Sequence, residues 1–197
     1  MSKPESIKSS GWAFIAGAFA LITILSNADP LAIPGSFISA LLLAAGLVNL
    51  RAGYGETINR LGRNILLIGA IGMVLWYLGI ASLSSMNSFG MLTEADGARF
   101  WVVLFGGPAV VLFALTLFGL TALFTKPMVR LNWLPILTGI WYPVIYSIFS
   151  IYVISHYGEF PDQYLPAAVL MVGIQFLTLC ILGFLLINDS SKVMATA

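Results

Sequence analysis

Six long apolar stretches, Gly11–Ala28, Pro34–Leu50, Asn64–Ser84, Phe100–Phe124, Trp133–Ser155 and Leu165–Ile187, contain no Asp, Glu, Lys or Arg. A helix of about 20 apolar residues is what a bilayer core requires. Backbone groups in hydrocarbon must find their partners within the segment, so such stretches read as helices rather than open strands. The shorter, alternating segments of a membrane barrel are absent. Charged residues make up 9% of the chain and hydrophobic residues 59%, whereas a soluble domain carries about 25% charged residues. The sequence therefore predicts an all-α integral membrane bundle of six transmembrane helices, a single domain over 1–197 whose loops are too short to hold a separate soluble unit.

The charges predict an orientation. Of the nine Lys and Arg residues, Lys3 and Lys8 precede the first stretch, Arg51, Arg60 and Arg63 lie between the second and third, Lys126 and Arg130 between the fourth and fifth, and Lys192 after the sixth. The connections on the other side carry Asp29, Glu94, Asp96, Glu159 and Asp162, with Arg99 the one basic residue. Basic residues in short loops resist translocation, so both termini are expected in the cytoplasm. A rival reading of the first stretch takes Lys3 and Lys8 as the n-region of a signal peptide, cleaved after Ser26-Asn27-Ala28. Its apolar core is long for a signal, which favours a retained helix. Breakers mark the other ends: Asn27-Ala28-Asp29-Pro30 and Pro34-Gly35 before the second helix, and Asn188-Asp189-Ser190-Ser191 after the sixth.

Small residues recur at helix-contact spacing: Ala13 and Gly17, Ala16 and Ala20, the row Ser36, Ala40 and Ala44, and Gly72 with Gly79. In lipid such rows let backbones approach closely. They serve either packing within the chain or a seam between copies.

Chemistry-bearing residues are scarce inside the stretches. With no lysine there, a retinal Schiff base has no attachment point. With no carboxylate there, ion coupling through intramembrane acids is disfavoured. Cys180 is the sole cysteine and His156 the sole histidine, so an intrachain disulfide and a bis-histidine haem are both excluded. His156 is a weak candidate for a cofactor ligand; no cofactor and no metal site is expected. The uncharged polar groups that remain converge on helices five and six. Tyr142 and Tyr146 share a face, and Gln175 and Thr178 share another, with Pro143 and Gly106-Gly107-Pro108 as sources of kinking. These four side chains form the candidate intramembrane pocket, its alternative reading being ordinary interhelical hydrogen bonding.

The loop Arg51-Ala52-Gly53-Tyr54-Gly55-Glu56-Thr57-Ile58-Asn59-Arg60-Leu61-Gly62-Arg63 opens no helix after a strand, so its glycines imply no nucleotide cradle. Arg51, Arg60 and Arg63 are positioned to meet anionic lipid headgroups, at about 1 kcal/mol each. The net charge of +1 and the lack of a basic cluster give no footprint for nucleic acid. A leucine-rich helix running into Arg51-Ala52-Gly53-Tyr54-Gly55-Glu56, then Arg60-Leu61-Gly62-Arg63 and a glycine-rich helix, resembles a pattern in multi-pass bacterial membrane proteins of uncharacterised function. The resemblance covers helices two and three. It implies a bacterial inner-membrane protein and carries no activity, substrate or cofactor.

The function expected is that of a non-catalytic accessory or structural subunit packing against partner proteins, lipids or pigments, with a homo-oligomer as one form of partner. The alternative is a carrier or channel for a small neutral or lipophilic molecule. An enzyme is the least favoured class, since no nucleophile or acid–base pair is present.

Overall fold

The computed structural model describes residues 2–22, 29–88, 94–128, 132–155 and 165–195. Their regular structure is entirely helical: α1 (Lys3–Ile22), α2 (Asp29–Tyr54), α3 (Arg60–Ser88), α4 (Glu94–Thr125), α5 (Leu134–Ser155) and α6 (Leu165–Ala195). Three of them contain spans long and apolar enough to cross a membrane, Phe37–Tyr54, Arg60–Gly79 and Gly173–Ser191, and α4 holds the shorter apolar stretch Val110–Thr125.

Several helices run past the apolar stretches, and local chemistry explains where. α1 starts at Lys3, not Gly11, because Ser2-Lys3-Pro4-Glu5 is a helix start: the Ser2 backbone N–H donates to Glu5 Oε2 at 2.9 Å, one half of a capping box. That bond holds the Glu5 carboxyl below the usual carboxylate range. α2 begins at Asp29, so Pro34-Gly35 falls inside the helix and does not break it; an acidic residue followed by Pro30 supplies the start instead. α3 begins at Arg60, not Asn64, because Asn59 Oδ1 accepts from the Gly62 N–H at 2.8 Å, an N-cap bond. α6 continues to Ala195. The expected stop at 188–191 fails because Ser190 and Ser191 turn their hydroxyls back onto the carbonyls of Ile187 and Asn188 and so stay compatible with the helix.

The turn from α4 to α5 is closed by side chains. The Met128 N–H donates to Asn132 Oδ1 at 2.9 Å, and Asn132 Nδ2 donates to the Met128 carbonyl at 3.0 Å. Lys126 ends α4 in the left-handed region, with φ of 46°, a conformation costing a residue with a Cβ about 1 kcal/mol or more. Lys126→Gly should therefore raise stability by about 1 kcal/mol, read as a higher midpoint in thermal unfolding in detergent.

Consecutive helices are antiparallel. On α1 and α2, Ser10 Oγ donates to the Gly46 carbonyl at 2.8 Å and Ser39 Oγ to the Gly17 carbonyl at 2.9 Å. On α1 and α6, Gly11 lies against Gly183 and Ile187, and Phe19 meets Phe176 edge to face at 5.0 Å. On α2 and α3, Phe37 meets Tyr77 at 4.4 Å. Gly72 lies against Val110 and Gly62 against Thr121 on α3 and α4; Gly119 lies against Ile136 on α4 and α5. α1 packs most extensively against α2 and α6, α4 against α5 and α3, and the α5–α6 seam is the thinnest link of the closed ring. α2 also touches α4 across it. The small-residue rows are largely used within the chain: Gly17 lies against Leu43, Ala40 and Ala44 are buried in the core, and Gly72 meets α4. Gly79 has open space beside it.

The outward faces of the helices are apolar, as the core is. Trp12, Phe19, Ile68, Leu75, Ile148 and Leu170 are exposed, whereas Ser10, Ser39, Thr138, Gln175 and Asp189 are buried. In water that arrangement would leave a large contiguous apolar belt unpaid for.

Candidate functional site

Alternation of the helices gathers Lys3, Arg51, Arg60, Arg63, Lys126 and Asp189 at one end of the bundle. Three ties hold that end. Tyr54, the last residue of α2, donates its hydroxyl to Asp189 Oδ2 of α6 at 2.5 Å. Both are enclosed, with 3% and 8% of their surface exposed. Gly53 lets Ile7 of α1 press against the α2 backbone. On the rim, Lys3 forms an ion pair with Glu56. Lys3 beside it holds the Glu56 carboxyl below the usual carboxylate range, chiefly through a side-chain hydrogen bond.

The sign of that last effect is definite. A folded-state carboxyl that is harder to protonate contributes stability above its ordinary range, and loses it as pH falls through the lowered folded-state value. Glu56→Gln should accordingly lower the unfolding midpoint slightly at neutral pH, and the difference from the wild type should vanish in acid. Both partners are exposed, so the effect is small.

The three arginines separate by environment. Arg60 and Arg63 are exposed on the first turn of α3, while Arg51 is half-buried and its Nε is buried without a hydrogen-bond partner. Gly55 lies between the Arg51 carbonyl and the Arg63 side chain, whose Cδ is 3.6 Å from the position a Cβ would take. Two basic residues three apart in the first turn of a helix oppose the helix dipole.

Gln175 lies on the inner face of α6, in the buried row Gln175, Leu179, Leu182, Leu186 and Asp189. It is 1% exposed, and its Nε2 has no hydrogen-bond partner. An unmatched buried amide costs about 1–3 kcal/mol. Thr178 does not help it: its hydroxyl donates to the Gln175 backbone carbonyl at 3.1 Å. Tyr142 and Tyr146 lie on α5, but their side chains, like all of His156, fall outside the described residues. The described residues thus bring Gln175 and Thr178 together by helical spacing; the other half of the four-residue pocket lies outside the described side chains.

The sequence missed Tyr54 and Asp189. Tyr54 was read as part of a loop and Asp189 as a helix stop. The available signal was spacing: Asp189 continues the 3.6-residue row that runs through Leu179, Leu182 and Leu186.

Comparison of the chain with protein-family models, with curated proteins and with solved structures gives no match. The reading of function therefore rests on the helices and their side chains.

Proposed function

We propose that the chain is a six-span protein of the bacterial inner membrane, with both termini in the cytoplasm, acting as a non-catalytic accessory subunit that packs against lipid and against partner proteins. The observation that carries the reading is the apolar exterior: large hydrophobic residues face outward along every helix, over a core that is itself apolar and encloses Ser10, Ser39, Thr138, Gln175 and Asp189. Lipid is the solvent in which such a surface is stable. The basic end of the bundle is the cytoplasmic end by the bias of short loops. There Arg60 and Arg63 engage anionic headgroups, with Arg51 behind them.

The non-catalytic reading is supported by how the inner polar groups are used. The hydroxyls of Ser10 and Ser39 bind carbonyls of neighbouring helices. Those of Thr116, Thr138 and Thr178 bind carbonyls of their own helices, and that of Tyr54 binds Asp189. Each serves packing, and although the Tyr54 hydroxyl meets a carboxylate, the two are enclosed together.

Purification in mild detergent followed by native mass spectrometry tests this reading. Retained phospholipid together with a reproducible partner chain is the expected result. A delipidated monomer of unchanged stability would contradict it. Arg60→Ala with Arg63→Ala should lower retention of anionic lipid several-fold and leave zwitterionic lipid unchanged.

A further inference from the structure

The helix register brings an unmatched donor to a definite level of the ring. Gln175 is one residue from Phe176, which meets Phe19 of α1. Ser39 bonds to Gly17, so Ala18 and Ala40 belong to the same layer, and both are fully buried. Phe37–Tyr77 on α2 and α3 and Gly72–Val110 on α3 and α4 carry the layer onward. It passes the α4 backbone near Gly107-Pro108. Antiparallel continuation from Gly139 against Leu112 and Thr116 then brings the α5 backbone near Tyr146 to it. Ala18 and Ala40 are the buried side chains of α1 and α2 at this level, with Leu21 and Leu43 one turn away. On α6 the face toward α1 holds Phe176, Gly183 and Ile187, while Gln175 belongs to the adjacent buried row that ends at Asp189. The geometry therefore combines a buried, unmatched N–H donor with its place on α6, one of the two helices of the weakest joint of the ring.

We propose that Gln175 is the polar recognition point for a lipophilic, uncharged guest that carries a hydrogen-bond-accepting oxygen, a carbonyl compound, admitted from the bilayer between α5 and α6. An acceptor-only group fits because Nε2 of the amide is a donor, and no charged side chain among the described residues shares that layer. The proposal is independent of whether the chain is an accessory subunit: a guest can be bound with or without a protein partner.

The test uses the full chain in phosphatidylcholine nanodiscs with a saturated ketone, 2-undecanone labelled with carbon-13 at the carbonyl, followed by infrared spectroscopy. Wild type should show a saturable carbonyl band moved to lower frequency by hydrogen bonding. Gln175→Leu should weaken that binding about tenfold or more, with helical content kept and the unfolding midpoint equal or higher, since the unmatched amide is gone. Thr178→Val should bind as wild type does. If Gln175→Leu folds poorly, Gln175→Met serves the same comparison. No saturable band in wild type, or an unchanged band in the leucine and methionine variants, overturns the proposal; it would mean that water or a side chain of α5 satisfies the amide. Loss of protein partners with the ketone band intact would instead count against the accessory reading alone.

Discussion

Gly11→Leu or Gly183→Leu should abolish the folded bundle, and even alanine at either position should cost about 3 kcal/mol. The two glycines bring the α1 and α6 backbones into contact. A Cβ on Gly11 would sit 2.5 Å from the Gly183 carbonyl oxygen, and a Cβ on Gly183 would sit 2.6 Å from the Gly11 carbonyl oxygen. Backbone oxygens cannot rotate aside as a side-chain tip can, so the helices must separate. Overpacking of a close contact costs about 1–3 kcal/mol when the surroundings can yield, and here they yield poorly. Separation would also weaken the Phe19–Phe176 contact between the same two helices. Gly79→Ala and Gly173→Ala are the controls. Nothing lies within 4 Å of the Cβ either would add, so both should be neutral or stabilising by up to about 1 kcal/mol through helix propensity. Reversible denaturation of the purified variants in mixed micelles measures all four.

Asp189→Ala should be the next most damaging change. It leaves the Tyr54 hydroxyl buried without an acceptor, at a cost of about 1–3 kcal/mol. It also releases the end of α6 from α2, although the two residues are 135 positions apart and nothing local replaces the tie. Tyr54→Phe removes the donor and leaves a carboxylate with one hydrogen bond fewer. The double variant Tyr54→Phe/Asp189→Ala should lose less than the sum of the two single losses, with a coupling of about 1 kcal/mol or more. Additive losses would show that the hydroxyl and the carboxylate do not depend on one another. Protease sensitivity near Lys192, read alongside stability, should rise in Asp189→Ala before global unfolding, because the terminal turns of α6 lose their anchor to α2.

What was legible in the sequence follows from the range of each interaction. The apolar stretches reported helices because their apolar character is carried by every residue along them, and α5, with start and end within a residue of expectation, shows this most cleanly. The ends of α1, α3 and α6 were not legible from hydropathy, because polar capping sets them: Ser2 with Glu5, Asn59 with Gly62, and the serine hydroxyls after Ile187. The capping residues were present in the sequence, but a hydropathy boundary overrode them. Pro34-Gly35 looked like a break because proline lacks a donor, yet α2 runs through both; of the two prolines it is Pro30, in the first turn, whose missing donor has no intrahelical partner to lose. Gln175 stood out as a polar residue in an apolar stretch, but its lack of a partner required the folded surroundings. The Tyr54–Asp189 tie could not be read locally at all. It depends on α2 and α6 being parallel neighbours on either side of α1, a consequence of the ring.

The central claim is that this ring lies in a membrane with its basic end in the cytoplasm. Single-cysteine variants in a Cys180→Ala background test it directly, with a membrane-impermeant maleimide applied to intact cells. Thr57→Cys and Lys126→Cys should remain unlabelled until the cells are opened, whereas Thr93→Cys and Glu159→Cys should label from outside. Labelling of Thr57→Cys or Lys126→Cys in intact cells, or protection of all four sites before and after opening, would contradict the account.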